Sequence, residues 1–198
     1  MIKFNELSKE PPYTKFKEKY DDALCSNQEN IEAISISSFS KNLKEVNSRF
    51  VNLKFINLTD FIFFSNYESP KSEEFKQHNQ ITCLIYWNRT NTQIRIKAKI
   101  KKTSKEFNLE YFSKRSKKKN ALAISSMQSK KVESYQEVLD NYNKSLKSDD
   151  LNKCPEFWGG YSFKPYYFEF WEGHESRLNK REAYIKNVDS WKHLILQP

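Results

Sequence analysis

Glycine, cysteine and long apolar runs are scarce in this chain of 198 residues, and each scarcity excludes a class of protein. With 3 glycines, the chain has no glycine-rich nucleotide loop of the GxGxxG or GxxxxGK kind. Cys25, Cys83 and Cys154 lie far apart and form no CxxC pair, which argues against a disulfide framework or a zinc site. No run of about 18 apolar residues and no apolar signal-peptide core is present. We therefore expect a cytoplasmic protein without a membrane partner.

Positive charge and aromatic side chains are abundant instead. Lys and Arg total 34 against 25 Asp and Glu, which gives a net charge of +9. Aromatic residues reach 15% and supply large apolar surfaces for a core, although the mean hydropathy is only −0.86. Because the lysines are spread through the chain, the charge favours a phosphate-bearing ligand over a nucleic-acid partner.

Alternation of apolar and polar residues predicts a sheet. Residues 92–100 alternate most regularly, with Ile94, Ile96, Ala98 and Ile100 on the inward face. Similar or continuous apolar patterns predict further strands at 31–39, 46–56, 61–65, 81–87, 161–171, 181–187 and 191–197.

Helical signals lie between these strands. An amphipathic pattern covers 13–26, Ser69 and Pro70 have the types expected at a helix start, and Thr103 and Glu106 have capping-box spacing. A helix is also predicted over 133–147, and a polar connector over 148–157. Short connections without βαβ alternation favour a mainly β, antiparallel barrel with peripheral helices, an α+β fold that forms one domain over 1–198.

The segment 155–184 contains every glycine of the chain. Glycine serves where the backbone needs a positive φ or a close approach, so this concentration indicates either a constrained site or a hairpin packed by its aromatic residues. Trp158 and the glycine pair are interpreted as structural. Trp171, Arg177 and Arg181 are interpreted as functional, because the two arginines are four residues apart and share a face in a helix or a strand.

Two further groups could bind anions, and each has a plain structural alternative. Arg49 and Lys54 could capture phosphate, or could be exposed cations on an edge strand. The turn from Ser65 to Lys71 before a helix could bind phosphate through backbone N–H groups, or could be an ordinary capped turn.

A third group is Tyr111 with Arg115, which are i,i+4 neighbours if the helix continues that far, followed by the lysine run 117–119. That run could also be a solvated face. No Ser-His-Asp or Cys-His arrangement and no suitably placed carboxylate pair stands out in the sequence. If the protein is an enzyme, a cofactor is therefore expected to supply the difficult chemistry.

Taken in order, these segments resemble the pyridoxamine/pyridoxine 5′-phosphate oxidase family over most of the chain from about residue 30. The matching motifs are RFVNLK (49–54), FFSNYESPK (63–71), LIYW with the following Gln93, YFSKR (111–115), SSMQS (125–129), WGGY (158–161), and EFWEG with SRLNKR (169–181). The order WGGY, EFWEG and RL-x-x-R is the most specific part of the resemblance.

The resemblance implies an FMN-binding split β-barrel that works as a homodimer, with residues 155–198 contributing to the dimer and the active site. It implies oxidation of pyridoxamine or pyridoxine 5′-phosphate to pyridoxal 5′-phosphate, with O₂ reoxidising the flavin to give H₂O₂. The implied cofactor-binding residues are Arg49, Lys54, Phe64, Ser65, Lys71, Gln93, Gln128, Ser129, Trp171 and Arg181. The implied substrate-binding residues are Lys54, Tyr111, Arg115, Lys119, Arg177 and Asn179, of which Arg177 and Asn179 would be catalytic.

Three positions depart from the family pattern. Pro70 stands where an arginine usually binds the flavin phosphate, Lys119 where a serine helps to hold the substrate phosphate, and Asn179 where a histidine is usual. These departures leave two alternatives open beside the oxidase. One is a related flavin oxidase of the phenazine-biosynthesis kind. The other is a non-catalytic protein that binds flavin or pyridoxal phosphate.

Overall fold

Ten strands and five α-helices form the regular structure of the described residues. The computed structural model describes residues 1–148 and 150–198. The strands are β1 (Lys3–Asn5), β2 (Ala33–Ser40), β3 (Glu45–Asn52), β4 (Phe55–Asn57), β5 (Asp60–Asn66), β6 (Gln80–Trp87), β7 (Thr92–Lys102), β8 (Trp158–Glu172), β9 (Lys180–Lys186) and β10 (Trp191–Leu196). The helices are α1 (Pro11–Cys25), α2 (Pro70–Gln77), α3 (Lys105–Ser113), α4 (Lys117–Ser125) and α5 (Tyr135–Ser148).

The strands form one sheet in the order β1-β4-β5-β8-β7-β6-β2-β3, with β9 paired to β8 and β10 to β9. Within it, β1 pairs with β4 in parallel and the remaining pairings are antiparallel. The long strand β8 changes partner along one edge, since its first half pairs with β5 and its second half with β9. This change of partner splits the barrel. The mainly antiparallel α+β fold predicted from the sequence is confirmed.

The core lies on the inner face of the sheet, where alternate side chains point. Ile94 and Ile96 of β7 are fully buried, as their spacing predicts. Phe61 stacks on Phe163 with 5.3 Å between ring centroids, and Phe16 of α1 meets Phe61 edge-on at 5.2 Å. Because burying each phenylalanine contributes roughly 2–3 kcal/mol, these rings hold α1 against the barrel.

The capping box predicted at Thr103 is wrong by one residue. Ser104 is the N-cap of α3, and its hydroxyl accepts a hydrogen bond from the Phe107 N–H at 3.2 Å. The Thr103 hydroxyl donates instead to the Asn108 side-chain oxygen at 2.6 Å, and the Thr103 N–H donates to the Gly160 carbonyl at 3.0 Å. These bonds fasten the start of α3 to β8.

The glycine pair of β8 serves close approach, not unusual backbone angles. No glycine in the described ranges has a positive φ. A Cβ on Gly159 would lie 2.3 Å from the Tyr67 hydroxyl oxygen, and one on Gly160 would lie 2.5 Å from the Thr103 hydroxyl oxygen. The pair thus lets α3 and the residues after β5 pack directly on β8.

The helices stay at the periphery of the sheet. Helix α5 begins at Tyr135, close to its predicted start at residue 133. The connector predicted over 148–157 includes residue 149, which lies outside the described residues. Within residues 1–148 and 150–198, no helix combines the length and the apolar character needed to cross a membrane.

Candidate active site

A cavity of about 510 Å³ opens among β3, β5, α2, α3 and α4, and it is called the basic cavity below. Residues assigned to a site from the sequence dominate its wall: Arg49, Lys54, Phe64, Ser65, Lys71, Tyr111, Arg115, Lys119, Gln128 and Ser129. They come from separate stretches of the chain and meet because β3, β5 and the helices border the same opening. This convergence argues against the alternative that the cations are unrelated surface residues.

Arg49 on the edge strand β3 is held in place by a buried acid. Its guanidinium donates to Glu74 Oε2 at 3.0 Å and to the Ser38 hydroxyl at 2.5 Å. Glu74 of α2 is 6% exposed and also accepts from the Asn47 side chain at 3.0 Å. Arg49 is thereby oriented before any ligand arrives, which lowers the entropic cost of binding an anion.

Lys71 is a buried cation near the start of α2, 7% exposed. Its ammonium donates to the Ser69 hydroxyl at 3.0 Å. Burial, and then the positive charge of Arg49, lower the pKa of Lys71 to about 8, while Glu74 acts in the opposite direction. A phosphate at this place would offset the cost of keeping two cations close together in a desolvated site.

The loop after α4 is fastened to β5 across the cavity. The Gln128 side-chain oxygen accepts from the Ser65 hydroxyl at 3.2 Å and from the Asn66 N–H at 3.3 Å. Ser129 has a φ of 69°, in the left-handed region. These contacts bring Gln128 and Ser129 to the cavity wall, which local sequence patterns alone did not indicate.

Four planar groups form a stack along one wall. Phe64 stacks on Tyr111 at 3.9 Å and on Trp158 at 5.1 Å between ring centroids. The guanidinium carbon of Arg115 lies 4.4 Å from the centroid of the Trp158 ring. Helix α3 ends at Ser113, so Arg115 owes its place to this stacking and to a bond from its NH2 group to the Lys119 carbonyl at 3.3 Å.

The electrostatics of the basic cavity are one-sided. Arg49 has Glu74 behind it, and Lys54 has Glu32 at 3.3 Å. In the part of the chain that the structure describes, Lys71, Arg115 and Lys119 have no carboxylate partner, and no Asp or Glu lines the cavity. The NH1 nitrogen of Arg115 is buried with no hydrogen-bond partner in those residues. The cavity is therefore suited to ligands with more than one negative charge.

Gln93, Trp171 and Arg181 lie outside the basic cavity and form a second group, the outer row. Trp171 of β8 is directly opposite Gln93 of β7 and Arg181 of β9, so the three share the outer face of the sheet. Arg181 donates from NH2 to Oε1 of the buried Glu169 at 2.9 Å. Burial tends to raise the pKa of Glu169, but bonds from Tyr167, Arg95 and Arg181 outweigh it and lower the pKa.

Arg177 and Asn179 lie in the loop between β8 and β9, also away from the basic cavity. Arg177 is exposed with a φ of 59°, so the expectation that it shares a strand or helix face with Arg181 is wrong. The Asn179 side-chain oxygen accepts from the His174 N–H at 3.1 Å, and the Arg177 N–H donates to the His174 carbonyl at 2.9 Å. Asn179 therefore shapes the loop that presents Arg177.

Two residues were missed as parts of the site. Trp158 lines the basic cavity and packs against the guanidinium of Arg115, although its sequence context indicated only a structural role. Glu74 orients Arg49 from α2, a helix in which the sequence motifs assigned a role to Lys71 but none to Glu74. The position of Trp158 directly before the glycine pair is a sequence signal that could have pointed to it. Nothing in the local sequence distinguishes Glu74 from Glu73.

Solved structures define the class of protein. The chain superposes on PhzG from Burkholderia lata 383, in complex with tetrahydrophenazine-1-carboxylic acid, with a TM-score of 0.87 at 24% identity, covering 94% of this chain and 92% of that one. It superposes on a pyridoxamine 5′-phosphate oxidase-related, FMN binding protein from Nostoc punctiforme PCC 73102 with a TM-score of 0.77 at 13% identity, covering 92% and 97%. The fold is thus that of the FMN-binding split barrels.

Sequence comparison gives the family. The chain is 35% identical over 191 residues to pyridoxine/pyridoxamine 5′-phosphate oxidase 1 of Hydrogenovibrio crunogenus, covering 94% of this chain and 88% of the relative. It is 32% identical over 188 residues to the pyridoxine/pyridoxamine 5′-phosphate oxidase of Coxiella burnetii, covering 94% and 95%. Residues 158–198 match the pyridoxine 5′-phosphate oxidase C-terminal dimerisation region. The chain belongs to the pyridoxine/pyridoxamine 5′-phosphate oxidase family, as its motifs predicted.

Proposed function

We propose that this protein is an FMN-dependent oxidase that converts pyridoxamine or pyridoxine 5′-phosphate to pyridoxal 5′-phosphate, with O₂ as acceptor and H₂O₂ as product. The observation that carries the proposal is the charge of the basic cavity. Lys71, Arg115 and Lys119 have no carboxylate partner among the described residues, and two phosphate groups would neutralise this excess. One phosphate would belong to the cofactor and the other to the substrate.

The residues at the α2 end of the cavity fit FMN. The fork of Arg49 and the buried ammonium of Lys71 would hold its phosphate. Gln128 and Ser129 offer polar groups to the ribityl chain, and Phe64 and Ser65 would lie against the flavin ring. When bound, FMN would accept two electrons from the substrate and pass them to O₂.

The substrate phosphate would lie at the opposite wall. Arg115 presents a buried, unpartnered nitrogen, and Lys54, Tyr111 and Lys119 line the same space. Lys54 is assigned to both groups by the family resemblance, and in the proposal it contributes to either phosphate. Pro70 lines the cavity without adding a charge at the FMN end, whereas Lys119 adds one at the substrate end.

The outer row would complete this site in a homodimer. Gln93, Trp171 and Arg181 are placed on an outer face that also exposes Tyr86, which is directly opposite Gln93 and 55% exposed. Exposed apolar surface of this kind is typical of an interface between proteins. In the proposal, the outer row and the loop with Arg177 and Asn179 enter the basic cavity of a second copy of the chain, where Arg177 lies beside the substrate ring.

A related flavin oxidase is the second candidate. The structural likeness to PhzG is high. The family pattern is altered at Lys119, which lines the proposed substrate end, and at Asn179, which would reach that end from a second copy of the chain. A ligand with a carboxylate could also use the cations there. A third possibility is a protein that binds flavin or pyridoxal phosphate without turnover.

The absorption spectrum of the FMN-saturated protein under anaerobic conditions separates these candidates. We expect pyridoxamine 5′-phosphate to bleach the visible flavin band, and pyridoxamine without its phosphate to do so at least about tenfold more slowly, because the cations lose their partner. Bleaching by tetrahydrophenazine-1-carboxylic acid alone would favour the second candidate. A yellow protein that neither vitamer reduces would indicate binding without turnover. A protein that cannot bind FMN would refute both oxidases and leave only binding of pyridoxal phosphate.

A further inference from the structure

A second cavity, of about 860 Å³, lies where the barrel is split, and it shares no lining residue with the basic cavity. The ladder between β5 and β8 ends at Phe163, and the ladder between β8 and β9 begins at Tyr167. On this edge Lys164–Tyr166 therefore face no strand in the described residues. We call this opening the barrel gap. Its volume is within the range of sites for small organic ligands.

Two lysines meet at the barrel gap without an acidic partner. Lys99 of β7 and Lys164 of β8 are direct cross-strand partners, and Gln80 of β6 is opposite Lys99 on the other side. All three line the gap. Neither lysine forms an ion pair with any carboxylate among residues 1–148 and 150–198. Like charges directly opposite each other destabilise an antiparallel pair, and an anion between the two lysines would relieve that repulsion.

The rest of the wall is aromatic and already balanced in charge. Glu10 also lines the gap, but it is bound to Lys186 at 2.5 Å. Tyr13, which is 1% exposed, meets the ring of Trp191 edge-on at 6.0 Å, and Tyr166 lies beside them on β8. The opening thus joins flat apolar surfaces to two uncompensated positive charges.

We propose that the barrel gap is a second binding site for an aromatic phosphate of about the size of a nucleoside monophosphate. The phosphate would lie between Lys99 and Lys164, since a dianion matches two cations. The ring would pack against Tyr166 and Trp191, which offer flat surfaces for stacking. The Gln80 side chain can donate and accept hydrogen bonds at the edge of the site. This site is independent of the proposed oxidase reaction.

The test is calorimetric titration of the FMN-saturated protein with adenosine 5′-monophosphate. Saturation with FMN keeps the probe out of the cofactor end of the basic cavity, and loss of binding in the lysine variants distinguishes the barrel gap from the substrate end. We expect the nucleotide to bind at least about tenfold more tightly than either adenosine or ribose 5-phosphate. Adenosine lacks the phosphate, and ribose 5-phosphate lacks the aromatic ring. Lys99→Gln with Lys164→Gln should weaken binding at least about tenfold.

The matched control is Lys101→Gln, which removes an exposed lysine from the same strand outside the gap. It should leave nucleotide affinity unchanged. All three lysines are exposed, so the variants should fold, and an unchanged flavin spectrum verifies this. Equal affinities for the double variant and the control would overturn the proposal. So would the absence of binding at millimolar nucleotide, or the release of FMN during the titration.

Discussion

The basic cavity and the outer row differ in how much of their environment one chain supplies. Arg49 in the cavity and Arg181 in the row are both oriented by a buried glutamate, Glu74 and Glu169 respectively. The cavity is enclosed by its own strands and helices, whereas the row lies on an open sheet face with exposed apolar neighbours. Under the proposed function, the cavity of one chain would bind the FMN phosphate alone, and the row would act only when a second chain covers it.

The largest expected effect is on the cavity. Lys71→Gln should raise the Kd for FMN by about 10–100-fold, because a buried charge-assisted contact to the phosphate is lost. Lys76→Gln, in the same helix but exposed and paired with Glu73, should change the Kd less than about twofold. Fluorescence titration of FMN measures both. Equal effects of the two substitutions would show that the cofactor phosphate lies elsewhere.

Arg115→Lys should affect the substrate and not the cofactor. Lysine keeps the charge but loses the planar fork and the stacking on Trp158. We expect KM for pyridoxamine 5′-phosphate to rise about tenfold, with the Kd for FMN unchanged. Lys114→Gln, whose partner Glu110 is exposed, is the control for steady-state kinetics. A higher Kd for FMN would place Arg115 at the wrong end of the cavity.

The pH dependence of FMN binding should also come from the cavity. Because the pKa of Lys71 is lowered to about 8, the lysine loses its proton above that pH in the unliganded protein. Binding of phosphate requires the charged form, so affinity should fall about twofold from pH 7 to pH 8 and about tenfold from pH 7 to pH 9. Lys71→Arg should remove this fall, since arginine stays charged. FMN titrations at pH 7, 8 and 9 measure this change in Kd. A pH-independent Kd in the unsubstituted protein would contradict the role of Lys71 in binding the FMN phosphate.

A smaller effect is expected on the stability of the protein when the acid behind the outer row is replaced. Glu169→Gln removes the charge that Arg95 and Arg181 share, and should lower the free energy of unfolding by about 1–3 kcal/mol. Glu175→Gln, at an exposed loop position, is the control and should have little effect. Urea denaturation compares the two. If Glu169→Gln left the free energy of unfolding unchanged, Arg181 would be positioned by something other than this acid.

Much of the fold follows from local patterns, because a half-buried strand must alternate. The regular spacing of Ile94 and Ile96 predicted β7, and Pro70 marked the start of α2. The cavity residues were named from motifs, and the structure brings ten of them to one opening. That Trp171 would adjoin both Gln93 and Arg181 depends on the register of ladders between distant segments, which no local pattern encodes.

Which arginine Trp158 and Glu74 would each contact was not predictable, for a related reason. Each acts through an arginine far away in the sequence, Arg115 and Arg49, and the contact exists only after folding. Spacing of four placed Arg177 beside Arg181 only on the assumption of regular structure, and the loop before β9 breaks that assumption.

The central claim, that the cavity of one chain works with the outer row of another, is tested most directly by mixing two inactive variants. Lys71→Gln damages the cavity and Trp171→Ala damages the row, so each homodimer should be nearly inactive when FMN is supplied at a concentration that fills only the unsubstituted cavity. After the two are unfolded and refolded together, a mixed dimer contains one undamaged cavity facing one undamaged row. We expect about one quarter of the unsubstituted activity to return. No recovery, with mixed dimers verified by mass, would contradict a site shared between two chains.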